Sequence, residues 1–232
     1  MQADLQNRPE LSILLASCAH DMKNSMNLLS ITLENLLSGA SDSNDPAVRK
    51  MVGMLSETKR MHNHLFQLLA LYKEIGSPKF PFDPDAHAVA EFVEEVVARN
   101  QILLNASGIE FKTEYPDDLM WCFDDDLVVG MIGHAVNNAL HYTRDKIRLG
   151  IEQVDEFLEI RVEDNGTGYP PSILDAQAAV KAGIDFSNGS TGLGLYFSNE
   201  VAKMHRHRGR CGNVQLSNGG SLGGGCFVLH LP

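Results

Sequence analysis

Asn137-Asn138-Ala139-Leu140, Asp164-Asn165-Gly166-Thr167-Gly168 and Gly189-Ser190-Thr191-Gly192-Leu193-Gly194-Leu195 follow one another in the C-terminal half of this 232-residue chain. A side-chain amide on a helix is a neutral ligand for a hard cation. A carboxylate beside a glycine turn can read the edge of a base, and glycine N–H groups approach phosphate oxygens with no Cβ in the way. Singly, each motif reads as an ordinary turn or a solvated helix face. In this order they spell a nucleotide pocket.

Around the motifs the pattern mixes two periods. Ala88 to Asn105 and Asp125 to Tyr142 read as amphipathic helices, as does Leu193 to His205. Ile109 to Tyr115, Lys146 to Val154 and Phe157 to Glu163 read as strands, and Asn213 to Ser217 with Cys226 to Leu231 as a glycine-linked hairpin. Helices and strands alternate without a regular βαβ repeat. The expected fold class is therefore α+β: a sandwich of one helical layer on a mixed sheet.

The N-terminal part is different. Leu11, Leu15, Cys18, Met22, Met26, Leu29, Leu33 and Leu36 recur at three and four, the stripe of one long helix. Gly39 ends it. Asp45-Pro46 restarts the chain with a cap and a first-turn proline, and Val48, Val52, Leu55, His62, Leu65, Leu69 and Tyr72 make a second stripe. Two long helices with a short connection form an antiparallel hairpin. A lone hairpin cannot bury both stripes, so a homodimer with a four-helix bundle is expected. Gly76 to Pro84 is proline-rich, and the domains are read as 1–76 for the hairpin, 77–84 for a linker and 85–232 for the sandwich.

Charge is unevenly placed. The chain carries a formal −11. Residues 1–76 hold 7 Lys and Arg against 8 Asp and Glu, whereas residues 77–232 hold 12 against 22. That balance argues against nucleic acid as a partner. An acidic domain that takes a polyanionic nucleotide needs a metal or local cations. Cys18, Cys122, Cys211 and Cys226 lack metal or redox spacing and read as reduced thiols, although Cys211 and Cys226 are placed to face each other across a hairpin. No signal peptide and no membrane-length apolar run is visible, so a soluble, cytoplasmic protein is expected.

His20 stands mid-helix in Ala19-His20-Asp21-Met22-Lys23-Asn24. Neutral imidazole is a nucleophile near neutral pH, and Asn24, four residues on, shares its helical face. Asp21 lies roughly 100° round the helix, so spacing alone does not pair it with His20. His62 reads as a core residue of the bundle. His62 and His64, two apart, make a poor metal pair. His205 and His207 fall in Lys203-Met204-His205-Arg206-His207-Arg208-Gly209-Arg210, a cationic patch that reads as a solvated loop.

The His20 helix, the hairpin, the Asn138 helix and the two glycine boxes together resemble a sensor histidine kinase of two-component signalling, over nearly the whole chain. The hairpin resembles the dimerisation and phosphotransfer domain. The sandwich resembles the catalytic ATP-binding domain shared with gyrase, MutL and the heat-shock chaperone. The resemblance implies ATP and Mg2+ as ligands, with Asn138 on the metal, Tyr142 packed on adenine and Asp164 bonded to the adenine amino group. It implies that Gly166 and Gly168 permit the turn beside Asp164. Thr191, Gly192, Leu193 and Gly194 match the second glycine box, which leads into a helix N-terminus suited to phosphate. His20 is then the phosphoryl acceptor, Asp21 accepts its other N–H, and Asn24 orients the water that hydrolyses a regulator's phosphoaspartate. The expected partner is a response-regulator receiver domain, to which His20 passes its phosphoryl group.

Several positions depart from the family pattern. Ser25 stands where proline is usual, His134 where the first asparagine of Asn-x-x-x-Asn is usual, and His141 where lysine is usual. The segment between Pro170 and Ser190 is short, with Lys181 its one cation and Phe186 its one candidate for the phenylalanine box. No sensor region is recognisable, which implies either a missing sensor domain or a separate sensor protein. These departures motivate an alternative: a nucleotide-gated scaffold, or a phosphatase-biased partner of another kinase or regulator. A third reading is a phosphorelay intermediate loaded by another kinase.

Overall fold

The computed structural model describes residues 9–39, 45–76, 82–180 and 192–232. The chain divides into two compact units, Met1–Phe82 and Asp83–Pro232.

In the first unit, helix α1 (Pro9–Ser38) packs against helix α2 (Pro46–Gly76). The Asp45 carboxylate accepts from the N–H of Ala47 at 2.8 Å and caps α2. Leu33, Leu55 and Leu65 are buried between the helices, and Lys59 pairs with Glu34 across them at 3.0 Å. Met22, Leu28, Leu29, Ile31, Leu36, Met54 and Met61 stay exposed on the described surface.

The second unit begins with β1 (Asp85–Ala88), α3 (Val89–Ser107), β2 (Glu110–Glu114), β3 (Met120–Phe123) and α4 (Asp125–Tyr142). It continues through β4 (Lys146–Val154), β5 (Phe157–Asp164), α5 (Pro171–Val180) and α6 (Gly192–Met204). The short strands β6 (Arg206–His207) and β7 (Arg210–Cys211) then precede β8 (Asn213–Asn218) and β9 (Gly225–Leu231). The main sheet has the order β2-β4-β5-β9-β8. Only β2 and β4 are parallel, the crossover between them carrying α4, so the sheet is mixed.

Alternation sets the core. On β4 and β5, Ile147, Leu149, Ile151, Leu158, Ile160 and Val162 face the helices, with Arg148, Glu159, Arg161 and Glu163 between them on the other side. Phe92, Val93 and Val96 of α3, Met131, Ile132 and Val136 of α4, and Phe197 and Val201 of α6 close the core from above. The outer face is a set of ion pairs: Arg148 bonds Glu114 and Glu163, and Arg161 pairs with Glu159. Asp164 continues the inward register of Leu158, Ile160 and Val162, so the strand delivers a carboxylate to the helix side.

Two expectations change. His205 is 4% exposed rather than solvated. Its Nδ1 bonds the Val201 carbonyl at 2.9 Å and its Nε2 meets the Asp124 N–H at 3.1 Å, so both polar atoms of the ring are satisfied inside. Arg206, His207, Arg208 and Arg210 around it are exposed, as expected. Cys211 is exposed on β7 opposite Arg206 and Cys226 is buried on β9; both are free thiols. The paired strands β1 and β3 and the helix α5 are additions that the pattern did not announce. Strands of four residues are too short to show alternation, and their pairing is made by chain far away.

Candidate functional site

The site grows from the C-terminal end of β5. Asp164 is 7% exposed. Its Oδ1 accepts from the Gly166 N–H at 2.7 Å and the Gly225 N–H at 3.2 Å, and its main-chain oxygen accepts from Gly224 at 3.0 Å. Its Oδ2 takes no hydrogen bond among the described residues. One carboxylate oxygen is thus tied down and the other left as an acceptor. Gly166 is obligatory here, because a Cβ would overlap the carbonyl oxygen of Tyr142. That close approach sets the first glycine box against the end of α4.

Two asparagines outside the expected set hold the box in place. Asn165 Oδ1 accepts from Thr143 Oγ1 at 2.9 Å and from the N–H groups of Arg144, Asp145 and Lys146 at 3.1–3.2 Å. Its Nδ2 donates to Asp145 Oδ1 at 2.7 Å. The α4–β4 connection is wrapped around this one side chain. Beyond Gly168, which turns with φ +79°, Asn218 Oδ1 accepts from the Tyr169 N–H at 2.7 Å and Asn218 Nδ2 donates to the Tyr169 carbonyl at 2.8 Å. Burial pushes the Tyr169 hydroxyl well above its ordinary value, with the Asp164 charge adding to it. Asn165 occupied the variable position of the box and Asn218 an Asn-Gly-Gly turn, so each read as turn chemistry rather than as a support.

A buried clamp backs the loop between β8 and β9. Glu163, 2% exposed, accepts from the Ser221 N–H at 2.8 Å, from Ser221 Oγ at 2.7 Å and from Arg148 Nη1 at 2.6 Å. Burial works to raise the Glu163 carboxyl, but the Ser221 and Arg148 bonds outweigh it and hold the group below its usual range. The same loop supplies the Gly224 and Gly225 N–H groups to Asp164. An open depression lined by Glu110, Lys112, Glu114, Lys146, Arg148 and Ser221 lies on the outer face behind this clamp, and none of Asn138, Tyr142, Asp164, Gly166 or Gly168 lines it.

Helix α4 brings the amides. It is capped by Asp124, whose carboxylate accepts from the Leu127 N–H at 3.0 Å. Asn138 is half-buried, and its Nδ2 lies 3.2 Å from His134 Nε2, one turn earlier. Asn137 is buried, with an Oδ1 that has no hydrogen-bond partner among the described residues. His141 Nδ1 bonds the Asn137 carbonyl at 2.7 Å. Tyr142 ends the helix with its main-chain carbonyl against Gly166, and the residue is 64% exposed.

Of the expected residues, the structure gathers Asp164, Gly166 and Tyr142 directly, with Gly168 in the turn that follows and Asn138 one turn back along α4. Gly192, Leu193 and Gly194 form the first turn of α6, Gly194 being buried. Thr191, together with Lys181 and Phe186, lies outside the described residues. In the other unit, His20, Asp21 and Asn24 all belong to α1. Asn24 is exposed, and the side chains of His20 and Asp21 lie outside those described.

Residues 123–232 match the family model of histidine kinase-, DNA gyrase B- and HSP90-like ATPases. Over 225 residues, 94% of this chain, the sequence is 28% identical to the sensor-like histidine kinase SenX3 of Mycolicibacterium smegmatis, covering 56% of that protein. The sensor protein SrrB of Staphylococcus aureus is 20% identical over 225 residues, covering 37% of its length. The chain spans about half the length of the SenX3 relatives it matches. Among solved structures, the histidine kinase AdeS of Acinetobacter baumannii has the same fold, with a TM-score of 0.56 at 18% identity over 91% of this chain and 96% of that one.

Proposed function

We propose that this chain is an ATP-dependent protein-histidine kinase that phosphorylates itself on His20, a reading supported by the match of residues 123–232 to the histidine kinase-, DNA gyrase B- and HSP90-like ATPases and by the 28% identity to the sensor-like histidine kinase SenX3. The observation that carries the nucleotide reading is Asp164: Oδ1 is locked by two glycine N–H groups, and Oδ2 is held on the helix side as an acceptor for a base amino group. Tyr142 offers the neighbouring ring for stacking.

The donors fit a nucleotide with its metal. Asn138 is half-buried one turn before Tyr142 on α4, and Asn137 adds a buried side-chain carbonyl oxygen with no hydrogen-bond partner among the described residues. In this reading Asn138 holds Mg2+, which when bound neutralises phosphate charge. Thr191, Gly192, Leu193 and Gly194 cradle the phosphates at the start of α6. The His20 imidazole attacks the γ-phosphorus, an N–P bond forms as the bridging P–O bond breaks, and ADP leaves. Asp21 accepts from the other ring N–H and so stabilises the charge that develops. The protein's share of catalysis is mostly positioning.

From His20 the phosphoryl group passes to an aspartate of a response-regulator receiver domain, and Asn24 supports the reverse hydrolysis. Residues 1–76 act as the phosphotransfer and dimerisation hairpin, 77–84 as linker and 85–232 as the catalytic domain. The exposed Leu29, Leu36 and Met22 supply the apolar surface for a homodimer. Among the described residues no helix is long and apolar enough to cross a membrane.

The test is incubation of the full chain with γ-labelled ATP and Mg2+. An acid-labile, alkali-stable label that is lost in His20→Gln is expected. Bound nucleotide without label would favour the scaffold or phosphatase-biased reading instead.

A further inference from the structure

His134 and Asn138 stand one turn apart on α4, with Nε2 and the amide end separated by 3.2 Å. Two adjacent donors around a six-coordinate ion, with bonds of about 2.1 Å, lie about 3 Å apart. The pair is therefore already at the spacing of neighbouring ligands. Its chemistry points the same way. The atom facing Nε2 is the amide nitrogen, a donor, so Nε2 is the acceptor and carries its lone pair toward Asn138. Turning the Asn138 amide by half a rotation replaces Nδ2 with Oδ1. One nitrogen and one oxygen donor then converge on the same point with no change in the helix. Both side chains are only half-buried, so an ion accompanied by phosphates can reach them.

We propose that His134 is a second protein ligand of the nucleotide's divalent cation, and that it biases the site toward first-row transition ions such as Mn2+ over Mg2+. An imidazole nitrogen is a poor partner for Mg2+, which demands oxygen, and a good one for Mn2+, Co2+ or Zn2+. The inference rests on the nucleotide site proposed above and adds the identity of its metal. Among the described residues no cluster of three or more His, Cys, Asp or Glu side chains suits a metal, so the remaining ligands are phosphate oxygens and water.

The experiment uses the full chain and adenylyl methylenediphosphonate, whose phosphate chain contains no nitrogen. Affinity is measured with Mn2+ and with Mg2+ for the natural sequence, His134→Asn and Asn138→Ala. The expected Mn2+ preference is about tenfold, falling to about one in His134→Asn. Electron spin-echo modulation of the bound Mn2+ provides a second readout. A nitrogen coupling that changes when histidine is 15N-labelled, and that vanishes in His134→Asn, supports the ligand. Mn2+ and nucleotide bound together without that coupling overturns His134 as a ligand and leaves the nucleotide site standing. No metal-dependent binding in the natural sequence overturns both.

Discussion

The backbone N–H of Asp124 donates to Nε2 of His205 at 3.1 Å, joining positions 81 residues apart. Asp124 is the cap of α4 and His205 directly follows α6. The Asp124 carboxylate is also used twice, accepting from the N–H groups of Leu127 and Asp83. The two helices that carry the amide motif and the second glycine box are thus pinned together at the ends away from Tyr142 and Gly192.

His205→Ala is expected to destabilise the second unit by about 1–3 kcal/mol, because it leaves a buried N–H without its acceptor. Burial holds the His205 ring below its ordinary pKa. The unfolded chain therefore binds the proton more readily than the folded one. The stabilisation is complete above about pH 6.5 and is lost as pH falls toward the lowered folded value. Urea midpoints between pH 5 and 8 should slope in the natural sequence and slope less in the variant.

Gly166→Ala forces a methyl group into the Tyr142 carbonyl, and either the turn or the end of α4 must move. Nucleotide affinity should fall by at least about tenfold, with a loss of stability of about 1–3 kcal/mol. Calorimetric titration beside thermal unfolding separates the two effects. Unchanged affinity would show that this contact does not set the site.

Asn165→Ala removes the acceptor shared by Thr143, Arg144, Asp145 and Lys146. The expected cost is about 1–3 kcal/mol, with the α4–β4 connection losing its amide protection. Hydrogen exchange at residues 144–146, whose N–H groups donate to Asn165, is the direct measurement. Asn165→Asp keeps the acceptor but replaces the bond from Nδ2 to Asp145 by a contact of two carboxylates, so it should restore only part of that protection.

Glu163→Gln weakens the bonds from Arg148 and Ser221 that back the Gly224–Gly225 loop. The folded-state pKa of Glu163 is lowered, so its contribution is full above the ordinary carboxylate range and is lost as pH falls through it. The variant should be less stable at pH 7 and differ less from the natural sequence near pH 3. Denaturant titrations at the two values check the sign.

Leu29→Lys and Leu36→Lys place charge on an exposed apolar stripe of α1. If that stripe is the dimer surface, sedimentation should show a shift from dimer to monomer with little change in helix content. An unaltered dimer would move the interface elsewhere.

Much of the second unit was legible because its rules are local. Asp125–Tyr142 and Lys146–Val154 have the bounds that helical and strand periodicity announced. Both signals are complete within one element, since a buried helix stripe or strand face needs only its own period. Asp164, Gly166 and Gly168 were legible for the same reason, as a turn written in one short string.

What the tertiary structure decided are the groups whose partners lie far along the chain. The β1–β3 pair closes a long interval between two four-residue strands. Asn218 reaches Tyr169 over 49 residues, Ser221 reaches Glu163 over 58 and Gly225 reaches Asp164 over 61. Composition made His205 part of a cationic loop, but the N–H that makes it a core residue comes from another helix. A buried polar group takes whatever donor or acceptor the fold brings to it, and no local pattern records which one that will be.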